Sequence, residues 1–144
     1  MKLDIYLSYN GNCEEAIALY EKAFDVKANI IMRYKDAPPE EEYTSSAETG
    51  NLVMHSEIKI GNDTLMLADM PPEDPPEPGT NFAVHAVFDG ADAARKAFEV
   101  LRDGGVVGME LQETFWSKYF GSLQDRFGVC WNITVNETRM TEEA

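Results

Sequence analysis

The sequence has few cysteines, few histidines and no long apolar run. Its two cysteines, Cys13 and Cys130, are too few and too isolated for a disulfide framework or a thiolate metal site, so we interpret both as small packing residues. No apolar run reaches the roughly 18 residues of a membrane span, and the first residues lack a leader-like apolar segment. We therefore expect a cytoplasmic protein without a signal peptide.

Positive charge is also scarce. Twelve Lys and Arg stand against 26 Asp and Glu, which gives a formal net charge of −14. A field of this sign repels phosphate backbones and anionic lipids, so neither nucleic acid nor a membrane is an expected partner. The same charge also keeps a protein soluble, and it therefore names no partner by itself.

Several motifs with a known chemical mechanism are missing. The sequence contains no phosphate-binding glycine loop, no G-x-G-x-x-G after a strand, no H-E-x-x-H and no G-x-S-x-G. Nucleotide binding, zinc proteolysis and serine hydrolysis consequently have no support in the sequence. The length of 144 residues suits one domain with a workable core.

Hydrophobic periodicity in the first half predicts a strand, a helix and then further strands. Leu3–Tyr9 alternates apolar and polar residues, as a half-buried strand does, and an apolar stripe at helical spacing begins at Cys13 and ends at Phe24. Asn12, with Glu15 three residues later, predicts a capping box at the start of this helix. The prolines and glutamates of Asp36–Tyr43 predict a loop or lid. Further strands are predicted at Lys27–Tyr34, Val53–Ile60 and Thr64–Ala68.

The same order of elements returns after a proline-rich connector at residues 70–80. Phe82–Phe88 predicts a strand, and Ala91–Arg102 predicts a helix that ends before Gly104 and Gly105. Each half of the chain therefore runs strand, helix and then two or three strands. The inward residues of the second helix are predicted to be Ala94, Ala97, Phe98 and Leu101, and later strands are predicted at Val106–Leu111, around Ser117–Leu123 and at Val129–Val135.

Three residues in or beside predicted strands are candidates for chemistry. His55 and His85 each lie in a predicted strand, where an imidazole can bind a metal, transfer a proton near neutral pH, or make one structural hydrogen bond. Asp69 follows an apolar strand, so its carboxylate either lines a cavity mouth or caps a turn.

Aromatic and polar residues are densest in Leu111–Gly121, LQETFWSKYFG. Trp116 and Tyr119 each combine an apolar ring with a polar group, so this segment either lines a small-molecule site or packs as an ordinary strand and loop. Asn132 is a polar residue in an apolar strand. An inward-facing amide there needs a hydrogen-bond partner, which is a side chain, a water or a ligand.

Several segments carry a resemblance to a known family: Tyr9–Ala16 with Tyr20 and Phe24, Met54–Glu57, Leu65–Asp69, Leu111–Trp116, Tyr119, Gly121, Asp125, Phe127–Gly128 and Trp131. Together they resemble the PhnB-like branch of the vicinal-oxygen-chelate superfamily, which includes glyoxalase I, bleomycin-resistance proteins and extradiol dioxygenases. The resemblance covers the chain to about Glu137. It implies an α+β fold of two βαβββ modules, residues 1–70 and 80–137, whose curved mixed sheets enclose a cavity in one domain followed by an acidic tail at 138–144. It also implies a homodimer.

The resemblance also bears on metal binding. In the metal-dependent relatives a divalent cation polarises vicinal substrate oxygens or activates dioxygen. This chain offers Asp69 and His85 as weak candidate ligands, and it has Asn132 where the closing strand of those relatives carries a glutamate. Because a divalent site normally needs three or four His or carboxylate ligands, we expect an incomplete metal site and at most a weakly bound divalent metal as cofactor.

The resulting hypothesis is a protein that binds a small organic molecule in its cavity. The alternative is a metal-dependent lyase, isomerase or dioxygenase of the same fold, with His85, Glu113 and Tyr119 as the candidate catalytic residues. A third possibility is an assembly module whose interior is filled by its own side chains. The candidate ligand-binding residues are His55, Asp69, His85, Trp116, Tyr119 and Asn132.

Overall fold

The computed structural model describes residues 1–38, 49–115 and 119–136. Its elements follow the predicted order, and their boundaries differ from the predicted ones by a few residues. None of the described helices is both long and apolar enough to cross a membrane. The elements are β1 (Ile5–Tyr9), α1 (Cys13–Phe24), β2 (Ile30–Arg33), a short 3-10 turn (Tyr34–Asp36), β3 (Val53–Ile60), β4 (Asp63–Asp69), β5 (Val84–Phe88), α2 (Ala91–Leu101), β6 (Val106–Gln112), β7 (Phe120–Gln124) and β8 (Cys130–Val135).

The chain divides into two compact units. Unit 1 comprises Met1–Glu21 and Asp25–Glu77, and unit 2 comprises Lys22–Phe24 and the chain from Pro78 onward. Each unit holds one open four-stranded mixed sheet, with the strand order β1-β4-β3-β2 in unit 1 and β5-β8-β7-β6 in unit 2. In both sheets the first strand of the unit is parallel to its neighbour, and the remaining pairs are antiparallel. This repeated topology confirms the predicted α+β fold of two βαβββ modules.

The core of unit 1 lies between α1 and one face of its sheet. Because successive strand residues point to opposite faces, Leu7 and Tyr9 are buried against the helix while Tyr6 is 52% exposed on the other face. The Tyr9 hydroxyl donates a hydrogen bond to the Tyr20 hydroxyl of α1 at 2.8 Å. The predicted stripe of α1 is buried at Cys13, Ala16, Ile17, Tyr20 and Ala23, and its last residue, Phe24, is half-buried.

The predicted capping box at the start of α1 is wrong. The Asn12 side chain makes no capping hydrogen bond. The backbone N–H of Cys13 instead donates to Asp69 Oδ1 at 2.9 Å, from the end of β4. Sequence spacing could not show this, because the carboxylate that satisfies the helix start lies 56 residues away along the chain.

In unit 2, α2 packs on one face of the sheet through the four predicted residues Ala94, Ala97, Phe98 and Leu101, all of which are buried. The contact depends on Gly121 of β7. A side-chain Cβ at that position would lie 2.7 Å from Phe98 Cε2, so a larger residue would push the helix away. Trp131 of β8 is 1% exposed on this same face.

Candidate functional site

Three polar side chains form a row across the sheet of unit 2. His85 of β5 is the register partner of Asn132 of β8, and Asn132 is the register partner of Ser122 of β7. Register partners on neighbouring strands point to the same face, and the flanking Trp131 and Ile133 point to the opposite, buried face. We call His85, Asn132 and Ser122 the polar row. It lies on the face of the sheet away from α2.

The side chains of the polar row have no protein partner in the part of the chain that the structure describes. Ser122 and Asn132 are half-buried and His85 is exposed, and no hydrogen bond among the described residues involves their side chains. Every fully buried polar side-chain atom among the described residues has a partner, so the polar atoms of the row are reached by solvent. Donors and acceptors in this state are open to water or to a ligand. No described side chain is therefore the hydrogen-bond partner of the Asn132 amide, which leaves a water or a ligand among the three partners considered from the sequence.

A groove of about 510 Å³ lies beside the polar row. It has twelve lining residues, all of them within unit 2, and none carries a formal charge. Apolar walls come from residues such as Phe82 and Val106, whereas the Trp131 side chain points to the buried face, where its indole N–H donates to Asp125. The lining residues that can form hydrogen bonds through their side chains are Thr80, Asn81, Ser122, Gln124, Cys130 and Asn132.

Gly108 keeps the Ser122 hydroxyl available to the groove. A Cβ at position 108 would lie 2.9 Å from Ser122 Oγ, so any other residue would push that hydroxyl aside. Two other polar lining residues already have partners. Gln124 Nε2 donates to the Gly128 carbonyl at 3.1 Å, and the Cys130 thiol contacts the Gly79 carbonyl at 3.7 Å.

A second polar group lies on the open face of the sheet in unit 1. His55 and Glu57 are two residues apart on β3 and therefore point to the same face, where His55 Nε2 lies 2.8 Å from Glu57 Oε2. The ring of Tyr6 on β1 lies 6.2 Å from the His55 ring, with an angle of 32° between the planes. Partial burial is the main cause that raises the pKa of Tyr6 above its ordinary value.

Asp69 caps backbone groups rather than facing either open sheet surface. It is 2% exposed, on the same face as Tyr9. One carboxylate oxygen accepts the N–H of Cys13 at 2.9 Å and the other accepts the N–H of Val53 at 3.0 Å. Both oxygens thus bind backbone N–H groups of unit 1, as the capping alternative predicts. Asp69 is therefore not one of the proposed ligand-binding residues.

Only part of the aromatic segment Leu111–Gly121 lies within the described residues. The Tyr119 hydroxyl accepts a hydrogen bond from Arg95 of α2 at 3.2 Å, and the Arg95 guanidinium lies 5.7 Å from the centre of the same ring. Glu113 is exposed. Trp116 lies outside the described residues, so its predicted place in a cavity stays a prediction.

The described residues do not fit a divalent metal site. Within residues 1–38, 49–115 and 119–136, no three His, Cys, Asp or Glu side chains form a group that could hold a metal ion. Of the two weak candidate ligands, Asp69 has both oxygens on backbone N–H groups, and His85 is exposed in unit 2. We therefore derive no chemical step through a metal.

The thiol of Cys13 is not suited to nucleophilic chemistry. Burial, together with the negative charge of Asp69, raises the pKa of this thiol to about 12. The reactive form of cysteine is the thiolate, so the folded protein keeps Cys13 unreactive at neutral pH. This agrees with the interpretation of Cys13 as a packing residue.

We expect selective alkylation of the two cysteines. At about pH 9, the ordinary pKa from which that of Cys13 is raised, iodoacetamide should modify the half-buried Cys130 and leave Cys13 intact. Both cysteines should react in guanidinium, and mass spectrometry of the peptides measures the modification. Since the folded-state pKa of Cys13 lies above the unfolded one, its contribution to stability is complete below about pH 9 and is lost as the pH rises toward about 12. Equal labelling of the two thiols in the folded protein would contradict this assignment.

Sequence reasoning missed Ser122, Glu57 and Tyr6. Ser122 is a small polar residue between Gly121 and Leu123, and only the register of β7 against β8 places it beside Asn132. Glu57 could have been found, because residues two apart in a strand share a face and His55 was already a candidate. Tyr6 joins this pair through the pairing of β1 with β4, which sequence periodicity does not give.

Comparison with known proteins extends these observations. The family model for the Glyoxalase/Bleomycin resistance protein/Dioxygenase superfamily matches residues 2–133. The chain is 26% identical to "Protein YjdN" of Escherichia coli K12, with 99% of this chain and all of that protein covered. It is also similar to the crystal structure of protein PA1353 from Pseudomonas aeruginosa, with 29% identity, a TM-score of 0.77, and coverage of 94% of this chain and 98% of that one.

A further solved structure shares the fold. It is described as a putative 3-demethylubiquinone-9 3-methyltransferase, PhnB protein, from Bacillus cereus, and it is 24% identical, with a TM-score of 0.72 and coverage of 94% of this chain and all of that one. The family match spans both sheets described above, and the repeated βαβββ order agrees with it. The chain belongs to the Glyoxalase/Bleomycin resistance protein/Dioxygenase superfamily.

Proposed function

We propose that the chain binds a small, uncharged organic molecule in the groove of unit 2. The observation that carries the proposal is the polar row, in which the side chains of Ser122 and Asn132 line the groove and make no hydrogen bond to another described residue. Small-molecule sites are mainly apolar, with a few polar groups that fix the orientation of the ligand. A groove of about 510 Å³ also lies within the roughly 300–1,000 Å³ that such sites occupy.

The absence of charge in the groove points to the class of ligand. Charged residues make up 26% of the chain, yet none of the twelve lining residues is charged. A carboxylate or phosphate ligand would meet no cationic side chain there and would enter against the net charge of −14. An ammonium ligand would meet no carboxylate in the lining. A neutral amide, alcohol or heterocycle can exchange hydrogen bonds with amide and hydroxyl side chains at no cost in buried charge.

The amide of Asn132 is the central group of this proposal. It offers one acceptor and two donors, so it can pair with a ligand that itself carries an amide or lactam. Ser122 adds a hydroxyl from the neighbouring strand at the paired position. His85, on the other side of Asn132, supplies an imidazole at the exposed end of the row. The metal-dependent lyase, isomerase or dioxygenase alternative stays a prediction, because no described group of donors supports it.

Ligand screening with matched pairs tests this proposal. Each pair consists of a small aromatic amide and the carboxylate of the same skeleton, and binding is measured by NMR chemical-shift changes and by the shift in the unfolding temperature. We expect binding from the amide members, and we expect Asn132→Ala to weaken it about tenfold, the loss of roughly 1.4 kcal/mol that one hydrogen-bonding group commonly contributes. Asn62→Ala is the matched control, because Asn62 is an exposed amide in the turn between β3 and β4.

Two results would contradict the proposal. One is preferential binding of the carboxylate members, which would require a cationic site that the groove does not contain. The other is equal amide binding by the wild type and by Asn132→Ala, which would place the ligand away from the polar row.

A further inference from the structure

We propose that His55 and Glu57 form a proton-accepting site for an aromatic compound with a weakly acidic hydroxyl group. The two side chains lie together on the open face of unit 1, with His55 Nε2 2.8 Å from Glu57 Oε2. They remain 28% and 31% exposed, so solvent and solutes reach the pair. This site uses none of the groove residues of unit 2.

The chemistry of the two groups fixes the position of the proton between them. An ionised carboxylate can only accept hydrogen bonds, so Nε2 of His55 is the nitrogen that carries the hydrogen. In the neutral imidazole the lone pair then lies on Nδ1, which is the nitrogen that can take another proton. Glu57 therefore selects the tautomer and orients the ring, as the carboxylate partner of a histidine base does.

Proton transfer from the ligand to Nδ1 of His55 needs no further reactant. The O–H bond of the ligand breaks, an N–H bond forms at Nδ1, and the bonding electron pair stays on the ligand oxygen. The imidazolium that forms lies 2.8 Å from the Glu57 carboxylate, so a charge-assisted hydrogen bond stabilises it. The ligand leaves the step as an anion beside a cationic ring.

The surroundings of the pair favour an aromatic ligand. Tyr6 presents an aromatic ring 6.2 Å from the His55 ring and is 52% exposed. Met66 lies between Tyr6 and Glu57 in the register of the sheet, and Met32 lies opposite His55 on β2. Aromatic rings and thioethers are the side chains that pack best against an aromatic ring.

Para-nitrophenol is a direct probe, since its phenolate form absorbs visible light and its phenol form does not. At a pH equal to the pKa of the free phenol, where half of it is still un-ionised, we expect the protein to increase the phenolate band above its level in buffer. His55→Gln should abolish the protein-dependent band, because an amide accepts a hydrogen bond but takes no proton at this pH. Glu57→Gln should lower it several-fold. Glu15→Gln, which removes the same charge from an exposed position on α1, should leave it unchanged.

A second measurement keeps the proposal testable if a variant fails to fold. The chain has two histidines, so ring-nitrogen NMR shifts can be assigned by comparison with His85→Gln. The Nε2–H tautomer of His55 in the wild type is the expected result. Three results would each overturn the proposal: the Nδ1–H tautomer of His55, no protein-dependent increase of the phenolate band with the wild type, or an increase that persists in folded His55→Gln.

Discussion

Replacing Trp131 by alanine is expected to lower the free energy of unfolding by about 3–5 kcal/mol, the range for removing a fully buried aromatic side chain. Trp131 is 1% exposed, and its ring contacts Phe24 with ring centres 5.3 Å apart. Its indole N–H also donates to Asp125 Oδ2 at 2.9 Å. Asp125 is itself 3% exposed, so the variant both leaves a cavity and removes one hydrogen bond to a buried carboxylate.

Chemical denaturation of two further variants separates these contributions. Trp131→Phe keeps much of the apolar volume and removes the indole donor, so its loss of stability should be smaller than that of Trp131→Ala. Phe115→Ala is the control for deleting an aromatic ring at the surface, since Phe115 is 95% exposed, and it should change stability by less than about 0.5 kcal/mol. Trp131→Ala and Phe115→Ala with the same small effect would show that Trp131 does not anchor the core of unit 2.

The order of elements could be predicted because periodicity is a local property of the sequence. The apolar stripe of α2 appears at Ala94, Ala97, Phe98 and Leu101 in the sequence, and these four are its buried residues. The strand predicted at Val129–Val135 is present as β8, and its alternation puts Trp131 and Ile133 on one face and the Asn132 amide on the other. In each case the information lies within a few residues of the position concerned.

The composition of the candidate sites could not be predicted in the same way, since it depends on strand register. Ser122 lies beside Asn132 because of one pairing among several that β7 could make with β8. Tyr6 approaches His55 only through a sheet in which β1 pairs with β4, from the far end of unit 1. A shift of one residue in either pairing would move these side chains to the opposite face.

The roles of Asp69 and Asp125 could not be assigned from the sequence either. Both are buried carboxylates that hold backbone N–H groups: Asp69 accepts from Cys13 and Val53, and Asp125 Oδ1 accepts from Phe127 at 2.9 Å and Val129 at 3.0 Å. In a sequence, a buried capping aspartate and a ligand-binding aspartate have the same appearance at the end of a strand. Only the donors around the carboxylate distinguish them, and for Asp69 these donors come from distant parts of the chain.

Replacing Asp69 by asparagine is therefore expected to lower the free energy of unfolding by about 2–4 kcal/mol, although the two side chains have nearly the same shape. Asp69 is 2% exposed, and each of its oxygens accepts a backbone N–H. An amide has one oxygen, so its NH₂ group must face one of these N–H groups and leave that donor unsatisfied in the interior. The variant also removes a negative charge from the N-terminus of α1, where the helix dipole favours one.

Asn12→Ala is the comparison variant for Asp69→Asn, because Asn12 and Asp69 are the two candidate caps for the start of α1. If the sequence pattern governed the cap, the loss of Asn12 would cost about 1 kcal/mol and Asp69→Asn would matter little. The structure predicts the larger loss of stability for Asp69→Asn, because the Asn12 side chain makes no capping hydrogen bond and Asp69 binds the first N–H of the helix. Urea denaturation of the two variants under identical conditions decides between these orders. A larger loss for Asn12→Ala would show that the carboxylate of Asp69 does not secure the helix, and would return Asp69 to the residues available for a ligand.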